Sequence, residues 1–170
     1  MIRNKRSEVI LLLGSNIGER ADWLSKGIVS IADKLGDVVN CSTIFESEPW
    51  GFEADQSFLN QAVKVKTFLG PRSILHGIWE IEKSLGRIRS DGTYESRTID
   101  IDILTWENRI FWTRKLQVPH IHIQNRRFAL MPLIELAAKE KHPVLNKSYE
   151  DLLKVCPDRT WVKPFVPFHV

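Results

Sequence analysis

Sulfur and long apolar runs are both scarce in this chain. Cys41 and Cys156 are its only cysteines. They lie far apart and without metal-ligand spacing, so reduced structural thiols are expected rather than a zinc motif or a disulfide framework. No apolar stretch is long enough to span a bilayer. Residues 9–13, behind the charged start 1–7, are too short for a secretory signal. The expected compartment is the cytoplasm. Charge of one sign is also lacking: a formal net charge of +3 does not by itself argue for nucleic acid. Linkers, repeats and low-complexity segments are absent, and 170 residues suit a single domain over 1–170 with a core of its own. Nothing demands an oligomer, so a monomer is expected.

The most informative stretch is 97–104, Arg-Thr-Ile-Asp-Ile-Asp-Ile-Leu. Alternation at period two marks a strand buried on one face. It sends Ile99, Ile101 and Ile103 to one side and Asp100 and Asp102 to the other. Neighbouring carboxylates repel unless a cation lies beside them. Hard oxygen ligands of this kind suit Mg²⁺, which in enzymes usually accompanies phosphates. Arg97 is a charge suited to a phosphate oxygen. Lys83, Arg87, Arg89, Arg114, Lys115, Arg126 and Arg127 fall in the middle of the chain around the acidic pair, which suggests a small polyanion such as a nucleotide. A solvated acidic strand face among scattered basic residues is the plainer reading of these features taken singly.

Periodicity places a strand at 8–14 and a helix at 19–35 closed by Gly36. A strand follows at 38–46, then a loop to 56 and a strand at 58–67. Pro71 opens a second helix that runs to Leu85. Residues 87–96 read as a mobile loop. A strand at 99–106 turns at Asn108 into a hairpin partner at 110–112. A third helix spans 128–138, kinked or started near Pro132, and the tail wraps the surface. This order is that of an α+β, ferredoxin-like sandwich. It implies an antiparallel sheet with helices packed on one face, plus an added hairpin and a C-terminal helix. The aspartates would face the open side.

Four segments fit one reading: Gly14-Ser15-Asn16; Phe58-Leu59-Asn60-Gln61-Ala62-Val63; Glu82-Lys83-Ser84-Leu85-Gly86-Arg87-Ile88-Arg89 running into 97–104; and Val118-Pro119-His120 followed by Asn125-Arg126-Arg127-Phe128. Over about 8–138 the chain closely resembles the 6-hydroxymethyl-7,8-dihydropterin pyrophosphokinase family of folate biosynthesis. That resemblance implies transfer of pyrophosphate from ATP to the hydroxymethyl group of 6-hydroxymethyl-7,8-dihydropterin, releasing AMP. It implies two Mg²⁺ on Asp100 and Asp102, aligning attacking and leaving oxygens. Arg87 and Arg97 would stabilise the triphosphate and Arg89 would assist. His120, Arg126 and Glu82 match nucleotide-side positions, and Ile103 would line the adenine pocket through its backbone. Phe58 and Phe128 would sandwich the pterin, Asn60 would bond its edge, and Ser47 and Trp50 match the loop that recognises that edge. The expected partners are these small molecules, with neither nucleic acid nor membrane.

The chain departs from the family pattern at Tyr94-Glu95-Ser96, where Gly-Pro commonly precedes the arginine, and at Ile121, where Tyr is common. On the residues alone, Phe58 and Phe128 read as core aromatics and the arginines as solvated charges. Two rival functions stand beside the transferase: a metal-dependent nucleotidyltransferase, opposed by the long separation of Ser15 from Asp100, and a nucleotide- or pterin-binding relative without turnover.

Overall fold

The computed structural model describes residues 5–51, 54–87 and 96–167. Most of the 87–96 loop, Arg89 included, lies outside the described residues. The elements are β1 (Ser7–Ser15), α1 (Arg20–Lys34), β2 (Asp37–Cys41), β3 (Phe45–Ser47), β4 (Phe58–Thr67), α2 (Pro71–Ser84), β5 (Asp100–Trp106), β6 (Phe111–Trp112), β7 (Gln117–Val118), α3 (Arg127–Ala137), α4 (Tyr149–Lys154) and β8 (Val162–Pro164). Six strands form one antiparallel sheet in the order β5-β1-β4-β3-β8, with β2 also paired to β4.

Alternation decides what each face carries. Val9, Leu11 and Leu13 of β1, Leu59, Val63 and Val65 of β4, and Ile99, Ile101 and Ile103 in and beside β5 share one core with Leu24 and Ile31 of α1 and Ile74, Ile78 and Ile81 of α2. Full burial of each such side chain contributes about 1.5–3 kcal/mol. Gly36 closes α1 at φ 146°, and a Cβ there would lie 2.5 Å from the Lys66 carbonyl oxygen, so the close approach to β4 needs glycine.

The expected free face is only partly free. Ile10, Leu12, Ala62 and Leu104 form a second core with Ala129, Leu130 and Leu133 of α3 and Tyr149 and Leu152 of α4. Helices therefore pack on both faces, because these even-numbered positions are apolar in mid-strand. The uncovered part lies at one end, where Gly14, Asn60, Asp100 and Asp102 replace the aliphatic residues.

Three further expectations change. The strand over 38–46 divides into β2 and β3. At the break Ser42 donates its N–H to the Ala62 carbonyl at 2.9 Å, while its side-chain oxygen accepts the Ala62 N–H at 2.9 Å. A hydroxyl thus replaces a backbone carbonyl in the ladder. Residues 111–112 pair with 117–118 rather than with β5. The tail forms α4 and β8, and β8 adds to β3 as the sixth strand. Pro132 lies inside α3, which begins five residues earlier at Arg127. Both cysteines are free, Cys41 exposed and Cys156 buried. Among the described residues no helix is long and apolar enough to cross a membrane.

Candidate active site

Register builds the site floor. Asp100 of β5, Gly14 of β1, Asn60 of β4 and Phe45 of β3 lie in one row across the sheet, and Asp102, Leu12 and Ala62 lie in the next. The missing side chain at Gly14 leaves a hollow between Asn60 and Asp100. A Cβ there would touch Asn60 Oδ1 at 3.4 Å and the Phe58 ring at 3.8 Å.

Two cavities open around this floor. The first, of about 330 Å³, is lined by Ser47, Glu48, Trp50, Phe58, Asn60, Arg97, Arg126 and Phe128 among others. The second, of about 320 Å³, runs between α2 and the 114–117 segment and is lined by Leu75, Trp79, Glu82, Ile103, Arg114 and Lys115 among others. Arg87, Asp100, Asp102, His120 and Ile121 line both. Each is of a size that holds a small ligand.

Charge gathers where the cavities meet. Arg87 donates to both Glu82 and Asp100, and Arg97 lies 3.3 Å from the other Asp100 oxygen. Glu82 is buried and also accepts the Ile101 N–H at 3.0 Å, which fixes it to β5. Loss of solvent and the nearby Asp100 push the Asp102 carboxyl up to about 7. A divalent cation would relieve both effects. Among the described residues no three His, Cys, Asp or Glu side chains gather into a metal cage. Two carboxylates beside open space instead suit Mg²⁺, which completes its shell with water and substrate phosphates. The donor set fits that ion.

His120 is held down to about 4, by burial first and then by Arg126 and His122, so its ring is neutral at pH 7. Its Nδ1 accepts the His122 N–H at 3.2 Å, which leaves the ring proton on Nε2. In the first cavity Asn60 donates to Ser47 Oγ at 2.9 Å. The Arg97 guanidinium lies 5.7 Å from the Phe58 ring. Arg126 lies 4.9 Å from the Trp50 ring and 5.8 Å from the Phe128 ring. The walls of this cavity are therefore aromatic planes interleaved with guanidinium groups.

All the candidate residues that are described line one cavity or both. Glu82 and Ile103 open onto the second; Ser47, Trp50, Phe58, Asn60, Phe128 and Arg97 onto the first. Arg126, placed by the resemblance on the nucleotide side, lines the first beside Trp50. Glu48, Ile121 and Asn16 are among the residues that were missed. Glu48 lines the first cavity, and its neighbour Ser47 was the available signal. Ile121 was noted only as a departure. Asn16, read as a turn residue, accepts the Arg97 N–H at 2.8 Å and donates to the Ser96 hydroxyl at 3.0 Å, fastening the approach to β5. An Asn ending a strand next to a cavity is not distinguishable from an ordinary turn without that long-range contact.

The chain matches the family described as 7,8-dihydro-6-hydroxymethylpterin-pyrophosphokinase (HPPK) over residues 10–138. It is 37% identical over 157 residues to the 2-amino-4-hydroxy-6-hydroxymethyldihydropteridine pyrophosphokinase of Aquifex aeolicus (strain VF5), covering 92% of this chain and 94% of that one. To the protein of the same name from Bacillus subtilis (strain 168) it is 34% identical over 158 residues, with coverage of 92% and 94%. Among solved structures it resembles the Plasmodium falciparum HPPK-DHPS S436F/A437G/A613S triple mutant with SDX-DHP, with a TM-score of 0.75 at 19% identity. That likeness is one of fold; it covers 91% of this chain, which spans 45% of the longer one. The matched span takes in most of the central sheet, the aspartate strand included, and the chain belongs to the 7,8-dihydro-6-hydroxymethylpterin-pyrophosphokinase family of enzymes.

Proposed function

We propose that this chain transfers the pyrophosphoryl group of ATP to the hydroxymethyl group of 6-hydroxymethyl-7,8-dihydropterin. The observation that carries the reading is the meeting of two ligand-sized cavities at Asp100, Asp102, Arg87 and His120. A reaction that joins a flat heterocycle to a nucleotide's phosphate tail needs this arrangement. The first cavity takes the pterin: Phe58 and Phe128 offer ring faces, while Asn60, Ser47 and the Trp50 loop bond the edge. The second takes the nucleotide, its base near Ile103 and Glu82 and its phosphates directed toward the junction. The pterin hydroxyl oxygen bonds to the β-phosphorus in line, the bond from that phosphorus to the α–β bridging oxygen breaks, AMP leaves and the hydroxyl proton passes to solvent.

Arg87 and Arg97 meet the charge of the transferring group, with Arg89 assigned beside them on the resemblance. Arg126 and neutral His120, with its Nε2 proton, supply donors at the junction. Asp100 and Asp102 would hold two Mg²⁺, which when bound neutralise phosphate charge and lower the barrier to displacement. The fold is read more finely as a ferredoxin-like core of β1-α1-β2/β3-β4-α2-β5, within one domain over 1–170, working as a cytoplasmic monomer.

The test is Mg²⁺-dependent AMP release from ATP with and without the hydroxymethyl-dihydropterin. AMP release that requires both supports the reading. Pterin-independent AMP release would instead favour a hydrolase, and release of pyrophosphate without AMP a nucleotidyltransferase. Tight binding without release would favour a relative that has lost turnover.

A further inference from the structure

The C-terminal segment contains no residue expected in the site, yet it ties down both walls of the first cavity. One wall is β3 and the residues that follow it, Ser47, Glu48 and Trp50. The other is the start of α3, with Arg126 and Phe128. Neither wall is well secured by its own element. β3 is three residues long, and α3 has no capping side chain from its own N-cap residue, Arg126.

Residues 158–165 add a second set of ties to β3, which β4 already pairs along its other edge, and supply the cap that α3 lacks. Asp158, only 8% exposed, accepts the Arg127 N–H at 2.8 Å and so caps α3 from a remote position. Its other oxygen accepts the Thr160 N–H at 2.9 Å and the Thr160 hydroxyl at 2.6 Å. The Trp161 N–H then donates to Glu48 at 2.9 Å. β8 pairs with all three residues of β3, and the Phe165 N–H donates to the Ile44 carbonyl at 2.8 Å. One continuous segment is thus bonded to both walls within a few residues.

We infer that residues 158–165 are a buttress that sets the separation of the two cavity walls, and that Asp158 is a positioning residue for heterocycle binding. Arg126 lies against ring faces from both walls, so a shift in the first turn of α3 moves the guanidinium and Phe128 together. Displacements of about 1 Å suffice to weaken a preorganised site. The inference rests on reading the first cavity as the heterocycle compartment.

The test compares wild type with Asp158→Ala, Asp158→Asn and Thr160→Val. Calorimetry measures binding of 6-hydroxymethyl-7,8-dihydropterin and, separately, of a non-hydrolysable ATP analogue, with the thermal midpoint as the folding control. Asp158→Ala is expected to weaken heterocycle binding about tenfold, the scale of one lost helix cap. In turnover it should raise KM for the heterocycle more than it lowers kcat. ATP-analogue binding should weaken less than heterocycle binding, because Arg126, at the N-cap of α3, is the one group assigned to the nucleotide that moves with this turn. Asp158→Asn keeps an acceptor for the Arg127 N–H and should recover most of the loss. Thr160→Val is the milder variant should Asp158→Ala not fold. Without ligand, either variant should speed hydrogen exchange at 47–50 and 126–128. Unchanged heterocycle affinity in folded Asp158→Ala, or unchanged exchange in Thr160→Val, overturns the buttress. Wild type that binds the ATP analogue but not the heterocycle overturns the reading of the first cavity instead, and the exchange rates still decide the buttress.

Discussion

The two faces of one sheet do different work with the same strands. On the odd-numbered face, β1, β4 and β5 present mainly aliphatic residues to α1 and α2, joined by Trp106 beyond the register shift between β1 and β5. On the even-numbered face the same strands are aliphatic under α3 and α4, then change to glycine, amide and carboxylate at one end. The difference teaches that stability and chemistry are separable here residue by residue. A one-position step along β5 moves a substitution from the core to the cavity junction.

The largest separation is expected from Asp102→Ala. It should lower turnover about a thousandfold or more, the scale of several kcal/mol of lost metal-assisted charge stabilisation. Its thermal midpoint should be unchanged or higher, because burial and Asp100 already disfavour the Asp102 charge. Near-wild-type turnover would remove the aspartate pair from the site. Ile99→Ala tests the opposite face. Ile99 is fully buried, and truncation there should cost about 2–5 kcal/mol in urea unfolding while folded protein keeps its ligand affinities. A specific loss of affinity without destabilisation would show that the faces are coupled.

A smaller effect should appear with pH. His120 has a pKa of about 4 against its usual 6.5. Between those values the unfolded chain takes up a proton that the folded one refuses. Stability should therefore be full above pH 6.5 and fall as pH drops toward 4, by about 3 kcal/mol at most. His120→Gln should flatten that slope, and an unaltered slope would place the acid sensitivity elsewhere. The smallest effect is expected from Phe58→Leu, which keeps apolar bulk but loses the ring face. Pterin binding should weaken by about 0.5–1.5 kcal/mol, with the thermal midpoint little changed.

Strands and helices whose burial is local were legible in the sequence. β4 spans 58–67 as its alternating Val63, Lys64, Val65 and Lys66 require, and α2 starts at Pro71 and stops within a residue of expectation. The aspartate strand declared both its fold and its chemistry, because period two puts isoleucine and aspartate on opposite sides. What was not legible depends on distant partners. The break at Ser42 needs the Ala62 N–H. The capping of α3 needs Asp158, and β8 becomes a strand only because β3 offers it an edge. Arg126 carried no mark of which cavity it would line, since its position follows from Trp50 and Phe128.

Arg87 divides its charge between Glu82 and Asp100. An arginine bound to a single acid would be stranded whenever that acid turned to another partner. With Glu82 anchored to the Ile101 N–H, Arg87 keeps one counter-ion even if Asp100 is given over to an arriving cation. Loading of the junction would then be an exchange of partners in which Arg87 retains a counter-ion.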